Sequence, residues 1–468
     1  MPNQNGNRYL IKGAHVFTMD PAVGELDRAD VLIEGSQIAA IAPDLGDIDA
    51  RTIDGTDRIV LPGFVDTHRH TWQSLIRHVS TDWTLPQYFS GVRGVLGKIY
   101  SPDDMYAANL VGALEALDSG ITTLVDWSHN NNTPDHADAA IKGLKDAGLR
   151  AVFAYGNAND EWLPINDVPH SHDVKRIKAE HFASDDQLVT LAMALRGPQF
   201  ATPEVNEHDF KLAREVGLPI TVHVGDALWG LNGPLRQLAE IGQLGSDVTY
   251  VHCNTIADDE FDLIAGSGGA ISVAPELEMT MGHGKLSTLR AMERSIPVSI
   301  SIDVCTSVGG DMFSAMRAIL AGTRYEVNLQ AIEDRTTVDP LPLLATDVLG
   351  FATAGGARAA WLGDRVGSIT PGKRADVIMI RRDTWSMVPM NNPAGAVVES
   401  GHPGLVDRVF VDGRIVKEHG QLVDHDLAAV RRLAEEARDR IMASAGVDNP
   451  GKWLPGLYEL PGQSRGAS

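Results

Sequence analysis

Eight short apolar runs recur through the middle of the chain, each followed by a polar or helical stretch. They are Ile59–Val65, Thr122–Trp127, Ala151–Tyr155, Leu188–Leu195, Ile220–Val224, Val248–His252, Ala270–Ala274 and Val298–Ile302. Amphipathic segments lie between them near 101–118, 135–147, 205–216, 233–241 and 258–265. Ser101 precedes Pro102, Asp103 and Asp104, and Gly120 follows Asp118, which is the pattern of a capped helix. Strands alternating with helices over about 300 residues predict a parallel sheet, either a (β/α)8 barrel or an open doubly wound sheet. Periodicity alone does not separate the two.

The ends of the runs do. The first run leads into Asp66, His68 and His70; the fifth ends at His223, with Asp226 next; the sixth ends at His252; the eighth leads to Asp303. Ligand-bearing side chains at the C-terminal ends of several strands belong to the catalytic face of a barrel. Imidazole nitrogens and a carboxylate suit a borderline divalent ion such as zinc, at about 2.0–2.2 Å. Residues i and i+2 of a strand share a side, so His68 and His70 can aim at one point, with Arg69 turned away from them. Such an ion lowers the pKa of its bound water and yields a hydroxide nucleophile, with Asp303 as a proton acceptor.

Both flanks have a different texture. Short strands with Gly and Asp turns fill the first 58 residues, and strand-turn-strand patterns return over 365–383 and 405–423, the second around Asp412-Gly413. The expected organisation is a β-sandwich domain from 1–58 and 364–425, a barrel over 59–363, and a C-terminal helix (428–444) and Pro/Gly-rich tail within 426–468. The tail either wraps a neighbouring subunit or frays.

PGFVDTHRH resembles the metal-binding signature of the amidohydrolase superfamily. TVHVGD (His223), YVHCN (His252), SVAPE and SISIDV (Asp303) follow in that family's order, and PGKRADVIMI and VFVDGRIV are similar to its closing β-domain. The resemblance extends from about Tyr9 to Lys417 and points to the branch of triazine hydrolases and cytosine, guanine and adenosyl-type deaminases. It implies a distorted (β/α)8 TIM-like barrel with a flanking β-sandwich domain. It also implies metal ligation by His68, His70, His223 and Asp303, with His252 orienting water or polarising substrate. The binuclear members use a lysine at the end of strand four; here that strand ends in Arg196, so one metal ion per subunit is expected, zinc first, with Fe, Mn or Co as alternatives.

Deaminases of this branch carry His-x-x-Glu after strand five, where this chain has Asp226, one methylene shorter. Proton transfer needs hydrogen-bond reach of roughly 2.6–3.2 Å, and a retreat of about 1.5 Å is not neutral. Deamination therefore stays open beside hydrolysis of an amide, urea, carbamate or thiocarbamate bond. The expected reaction is attack of metal-bound hydroxide on a non-peptide C–N bond of a small, planar or hydrophobic molecule, with Asp226, His252 and Asp303 as catalytic residues. A non-catalytic metal-binding relative is the third reading.

Trp83, Trp127, His129 and His283 are the candidate substrate residues, with Phe89 and Trp229 also in loops at that face; each aromatic has loop packing as its simpler explanation. His170 and His172 imitate His-x-His but follow no strand run. Cys253 and Cys305 share no Cys-x-x-Cys spacing and read as packing residues; two cysteines make no disulfide scaffold and fit a cytoplasmic location. The formal charge of −22 argues against nucleic acid and anionic membrane as partners, and no run of 18 apolar residues occurs. The N-terminal MPNQNGNRYL has no basic n-region and does not read as a signal peptide. A small-molecule substrate and a homo-oligomer are the expected partners.

Overall fold

The structure is a computed structural model that describes residues 8–159 and 165–457. The end of the tail and the extreme N-terminus lie outside the described residues. Among the described residues, seventeen strands form two sheets. Eight of them, β6 (Phe64–Arg69), β7 (Ile121–Ser128), β8 (Arg150–Tyr155), β9 (Val189–Leu195), β10 (Ile220–Val224), β11 (Val248–His252), β12 (Ala270–Val273) and β13 (Val298–Ile300), pair in chain order as a parallel sheet. An Arg69–Asp303 bridge joins the last segment back to the first. His70 N–H donates to Asp303 O and Asp303 N–H to His68 O, both at 2.9 Å. The sheet is thus a barrel, not an open doubly wound sheet, and its closing seam is built from the candidate ligands themselves.

Helices follow the strands where the amphipathic segments predict them, at Pro102–Asp118, Pro134–Ala147, Pro203–Val216, Pro234–Glu240 and Asp258–Ser267. Ser101 caps the first in a capping box with Asp104. Their apolar faces join the strands in one large core that includes Phe64, Trp72, Leu124, Phe153 and Phe313.

The second sheet takes both ends of the chain. Its N-terminal strands are β1 (Arg8–Phe17), β2 (Glu25–Glu34), β3 (Gln37–Ala42), β4 (Arg51–Asp54) and β5 (Arg58–Pro62); its C-terminal strands are β14 (Val377–Arg381), β15 (Val406–Val411), β16 (Arg414–Glu418) and β17 (Gln421–Leu422). The strand order β17-β16-β15-β14-β5-β1-β2-β3, with β4 on β1, interleaves the termini around β5. A separate small core including Ile11, Val31, Val60, Val377 and Phe410 fills it.

The apolar run Ile59–Val65 is two strands, not one. Val60 and Leu61 pair with β14 in the second sheet, whereas Phe64 and Val65 pair with β7 in the barrel. The chain changes sheets at Gly63, where an added Cβ would lie 2.0 Å from Thr122 Oγ1. Gly63 N–H donates to Asp376 O on one side, and Phe64 N–H to Gly120 O on the other. A glycine is what permits that crossing. The helix Leu427–Ser444 then packs back on the barrel, with Arg440 bonded to Asp104.

Candidate active site

His68, His70, His223, His252 and Asp303 converge at the C-terminal mouth of the barrel, and all are buried. Asp303 Oδ1 lies 3.4 Å from His68 Nε2 and 3.3 Å from His70 Nε2, and Oδ2 lies 3.5 Å from His252 Nε2. Two donor triads share His68, one with His223 and His252 and one with His70 and Asp303, each within 4.8 Å. Ligands about 2.1 Å from a tetrahedral ion stand about 3.4 Å apart, and the distances from Asp303 to His68 and His70 match that spacing. Neither ring nitrogen of His68 makes a hydrogen bond among the described residues, although the side chain is fully buried. A buried imidazole left this way is costly unless something else coordinates it. His70 Nδ1 contacts Trp127 O at 2.9 Å, which assigns the proton to that nitrogen and leaves Nε2 as a donor pair. The residues therefore fit a divalent ion.

The backbone is strained at the same place. His252 and Asp303 adopt φ of 78° and 67°, and Cys253 58°. Left-handed conformations of such residues cost on the order of 1–2 kcal/mol each and persist where the surroundings impose them.

Burial pushes the imidazoles of His68 and His223 below the usual histidine range, and burial together with the neighbouring His68 holds His70 at about 3. His252 goes the other way. Burial would lower it, but the Glu278 hydrogen bond and the carboxylates of Asp303 and Asp226 raise it to about 9. Glu278 Oε1 accepts from His252 Nδ1 at 3.0 Å and from Ala274 N–H at 2.8 Å, while Oε2 accepts from Asn254 Nδ2 at 2.9 Å. Burial also raises Asp303, but the three surrounding histidines outweigh it and keep the carboxyl below the usual carboxylate range.

A cavity opens over this cluster. His70, His223, His252 and Asp303 form its polar floor with Asp226, His129 and His283. Leu85, Tyr88, Phe89, Phe200, Leu277 and Met281 form its apolar wall. His283 is buried with both ring nitrogens lacking a hydrogen bond among the described residues, and its ring centroid is 4.8 Å from that of His252. His129 stacks on His70 at 3.9 Å, and Trp72 Nε1 donates to its Nδ1.

Other sequence candidates fall elsewhere. Trp127 does not line the cavity; it packs edge-on behind His68, His70 and His223. Trp83 is also absent from the lining: its ring meets Trp453 at 5.1 Å, and its Nε1 donates to Trp453 O. Trp229 packs against Phe89 and Phe200, one layer back. Arg69 turns outward to Glu115 Oε2 at 2.5 Å. Asp66 accepts from Ile302 N–H at 3.1 Å and braces the seam. Arg196 points to Asn166, and His170 to Tyr155 O, both away from the cluster. Cys253 and Cys305 are buried. Two residues outside the sequence candidates stand next to the predicted ones: Glu278 behind His252, and Gln199 behind Asp226.

A closed parallel barrel with a histidine–carboxylate centre at its C-terminal mouth defines a class of metal-dependent barrel proteins. The chain belongs to the amidohydrolase family, whose family model matches residues 59–416. It is 30% identical over 441 residues to the 5'-deoxyadenosine deaminase of Methanothermobacter thermautotrophicus, covering 92% of this chain and 97% of that one. It is 26% identical to the 5-methylthioadenosine/S-adenosylhomocysteine deaminase of Symbiobacterium thermophilum, over 93% of this chain and 99% of that one. Among solved structures, the zinc complex of the atrazine chlorohydrolase of Arthrobacter aurescens superposes with a TM-score of 0.79 at 25% identity, covering 92% of this chain and 100% of that one. The zinc-bound adenosine deaminase of Xanthomonas campestris shares the fold, with a TM-score of 0.80 at 24% identity, over 93% and 98% of the two chains.

Proposed function

We propose that this chain is a metal-dependent deaminase that hydrolyses an exocyclic C–N bond of a small, planar amino-heterocycle, with water as co-substrate and ammonia as product. The observation that carries the reading is the ring of buried donors spaced 3.3–3.5 Å around Asp303 at the floor of a largely apolar cavity. His68, His70, His223 and Asp303 are assigned to one divalent ion, with His68 linking the His70–Asp303 group to the group that holds His223 and His252, and the zinc in the related chlorohydrolase structure supports that metal. When bound, such an ion acidifies water toward neutrality and polarises the bond under attack.

The chain's own residues supply the rest. Trp127 O fixes the tautomer of His70, so its Nε2 is available without a proton to lose. The Asp226 carboxylate takes the proton of the attacking water and returns it to the departing amine nitrogen. His252, whose Nδ1 is held by Glu278 Oε1 at 3.0 Å, turns its Nε2 to the centre, where it orients the attacking water or polarises the substrate. The aromatic and aliphatic wall excludes bulk water and stacks a planar ring, and His129 and His283 read its polar edge. The catalytic unit in this reading is the barrel, residues 59–363, with the terminal strands as its support.

Curated relatives that match along nearly the whole chain are deaminases, which favours ammonia release over cleavage of an amide, urea or carbamate. The zinc-loaded protein, assayed on amino-purines, their nucleosides and amino-pyrimidines, is expected to release ammonia and to lose this activity in His68→Ala. Amine or thiol release from ureas and thiocarbamates with no ammonia from any amino-heterocycle would reject deamination.

A further inference from the structure

Asp226 is one methylene shorter than the glutamate that its neighbourhood in sequence resembles, yet it lines the cavity and does not stand alone. Gln199 Nε2 donates to Asp226 Oδ1 at 2.5 Å, and the same amide's Oε1 accepts the N–H of Gly225, the residue immediately before Asp226. The two partners fix the orientation of the amide, because a carboxylate needs the NH2 and an N–H needs the oxygen. Gln199 is 2% exposed, so both bonds form away from water, where a charge-assisted bond is strong.

The backbone is arranged to bring Gln199 there. Gly197 sits just past the end of β9 with φ +69°, and its carbonyl accepts from Phe200 and Ala201 N–H in a tight turn. A Cβ at Gly197 would lie 2.6 Å from Val222 Cγ2 and 3.0 Å from His223 O. The missing side chain therefore lets the loop after β9 press against the end of β10, within reach of Asp226. On its other side, Asp226 O accepts Trp229 N–H.

We infer that Gln199 is a positioning residue for the short carboxylate of Asp226. It clamps one oxygen of Asp226 and the preceding peptide together, so that the short carboxylate is presented to the cavity in a single orientation. A carboxylate without the clamp has rotameric freedom to leave the line of proton transfer, and misplacement by about 1 Å at a reacting group can cost on the order of 100-fold in rate. The inference rests on the proton-carrying role proposed for Asp226.

The test is steady-state kinetics of the zinc-loaded, full-length enzyme on the most active amino-heterocycle of the panel, with metal content and melting temperature measured for every variant. Gln199→Leu keeps the size and removes the clamp; Gln199→Glu keeps the size and sets a second carboxylate against Asp226. Both are expected to retain one metal ion and to lower kcat about 10–100-fold with little change in KM. In an Asp226→Asn background, Gln199→Leu is expected to cost almost nothing further, because the group it positions is already inactive. In an Asp226→Glu background, Gln199→Ala is expected to be tolerated, since the longer side chain supplies its own reach. Full kcat in both Gln199 single variants, or losses that multiply with that of Asp226→Asn, would overturn the inference while leaving the role of Asp226 intact. Full turnover in Asp226→Asn would overturn the proton-carrying reading and the inference with it. If Gln199→Leu does not fold, Gln199→Glu decides by the same criteria.

Discussion

Two buried polar clusters occupy opposite ends of the barrel, and they are built on opposite rules. At the N-terminal end of β8, Arg150 donates through Nε to Asp376 Oδ2 at 2.7 Å and through Nη2 to Asp376 Oδ1 and Asp412 Oδ1 at 3.0 Å; Asp412 N–H closes the group on Asp376 at 2.8 Å. That cluster ties the barrel to the second sheet and is hydrogen-bonded throughout. At the C-terminal mouth, His68 and His283 have ring nitrogens with no hydrogen bond among the described residues, and the donors face one another at 3.3–3.5 Å. Arg150 and Asp376 are as buried as His68 and Asp303; satisfaction is what differs. Buried polar groups that satisfy one another are structural, whereas buried groups that converge without doing so are held for a ligand.

The largest expected effect comes from breaking the unsatisfied end. His68→Ala is expected to abolish metal retention and to lower kcat/KM by about 10³-fold or more, several kcal/mol of transition-state stabilisation, as read by metal analysis and ammonia release. The metal-free variant should be no less stable than the metal-free parent, because an uncompensated buried imidazole has been removed. The satisfied end should respond in reverse. Arg150→Met leaves Asp376 buried without its cation and is expected to cost about 3–5 kcal/mol in urea unfolding, with kcat of the folded fraction unchanged. Equal losses of stability and kcat in either variant would erase the contrast.

Glu278 lies between these extremes, since it is fully satisfied yet touches the site. Glu278→Gln is expected to lower kcat about 10–100-fold, as for other residues that orient a functional histidine. In the metal-free protein its hydrogen bond holds His252 at about 9, above the ordinary histidine value of 6.5. A raised folded pKa gives a stability contribution that is full below about pH 6.5 and is lost as pH rises through 9. The stability gap between parent and Glu278→Gln, followed by urea unfolding of metal-free protein, should therefore narrow on the alkaline side of that window, and the NMR titration of His252 should fall toward the usual range. A gap that widens with pH would contradict this sign.

The smallest effect tests the seam between the two sheets. Gly63→Ala forces a methyl toward Thr122 Oγ1 at 2.0 Å and is expected to destabilise by about 1–3 kcal/mol, measured by thermal unfolding.

The barrel was legible because its strands are short apolar runs whose ends carry the histidines. Ile220–Val224 and Val248–His252 coincide with β10 and β11, and the polar residues at their ends separate a barrel from an open sheet. The first run reads as one strand because the apolar pattern passes unbroken through Pro62 and Gly63, whereas the backbone changes sheets there. What sequence did not disclose are the partners set by tertiary approach. Glu278 reaches His252 across 26 residues, and Gln199 reaches Asp226 across 27, with no local pattern to mark either pair. Trp83 misleads for the same reason: an aromatic in a loop near the mouth pairs with Trp453, 370 residues away, and not with the cavity.

The most direct measurement is a zinc titration of the metal-free protein in which bound metal and ammonia release are read on the same samples. Activity is expected to rise in proportion to metal up to one equivalent per chain and to stay there, and His68→Ala is expected neither to bind metal nor to turn over. Turnover by the metal-free protein, or activity that needs a second equivalent, would contradict that expectation.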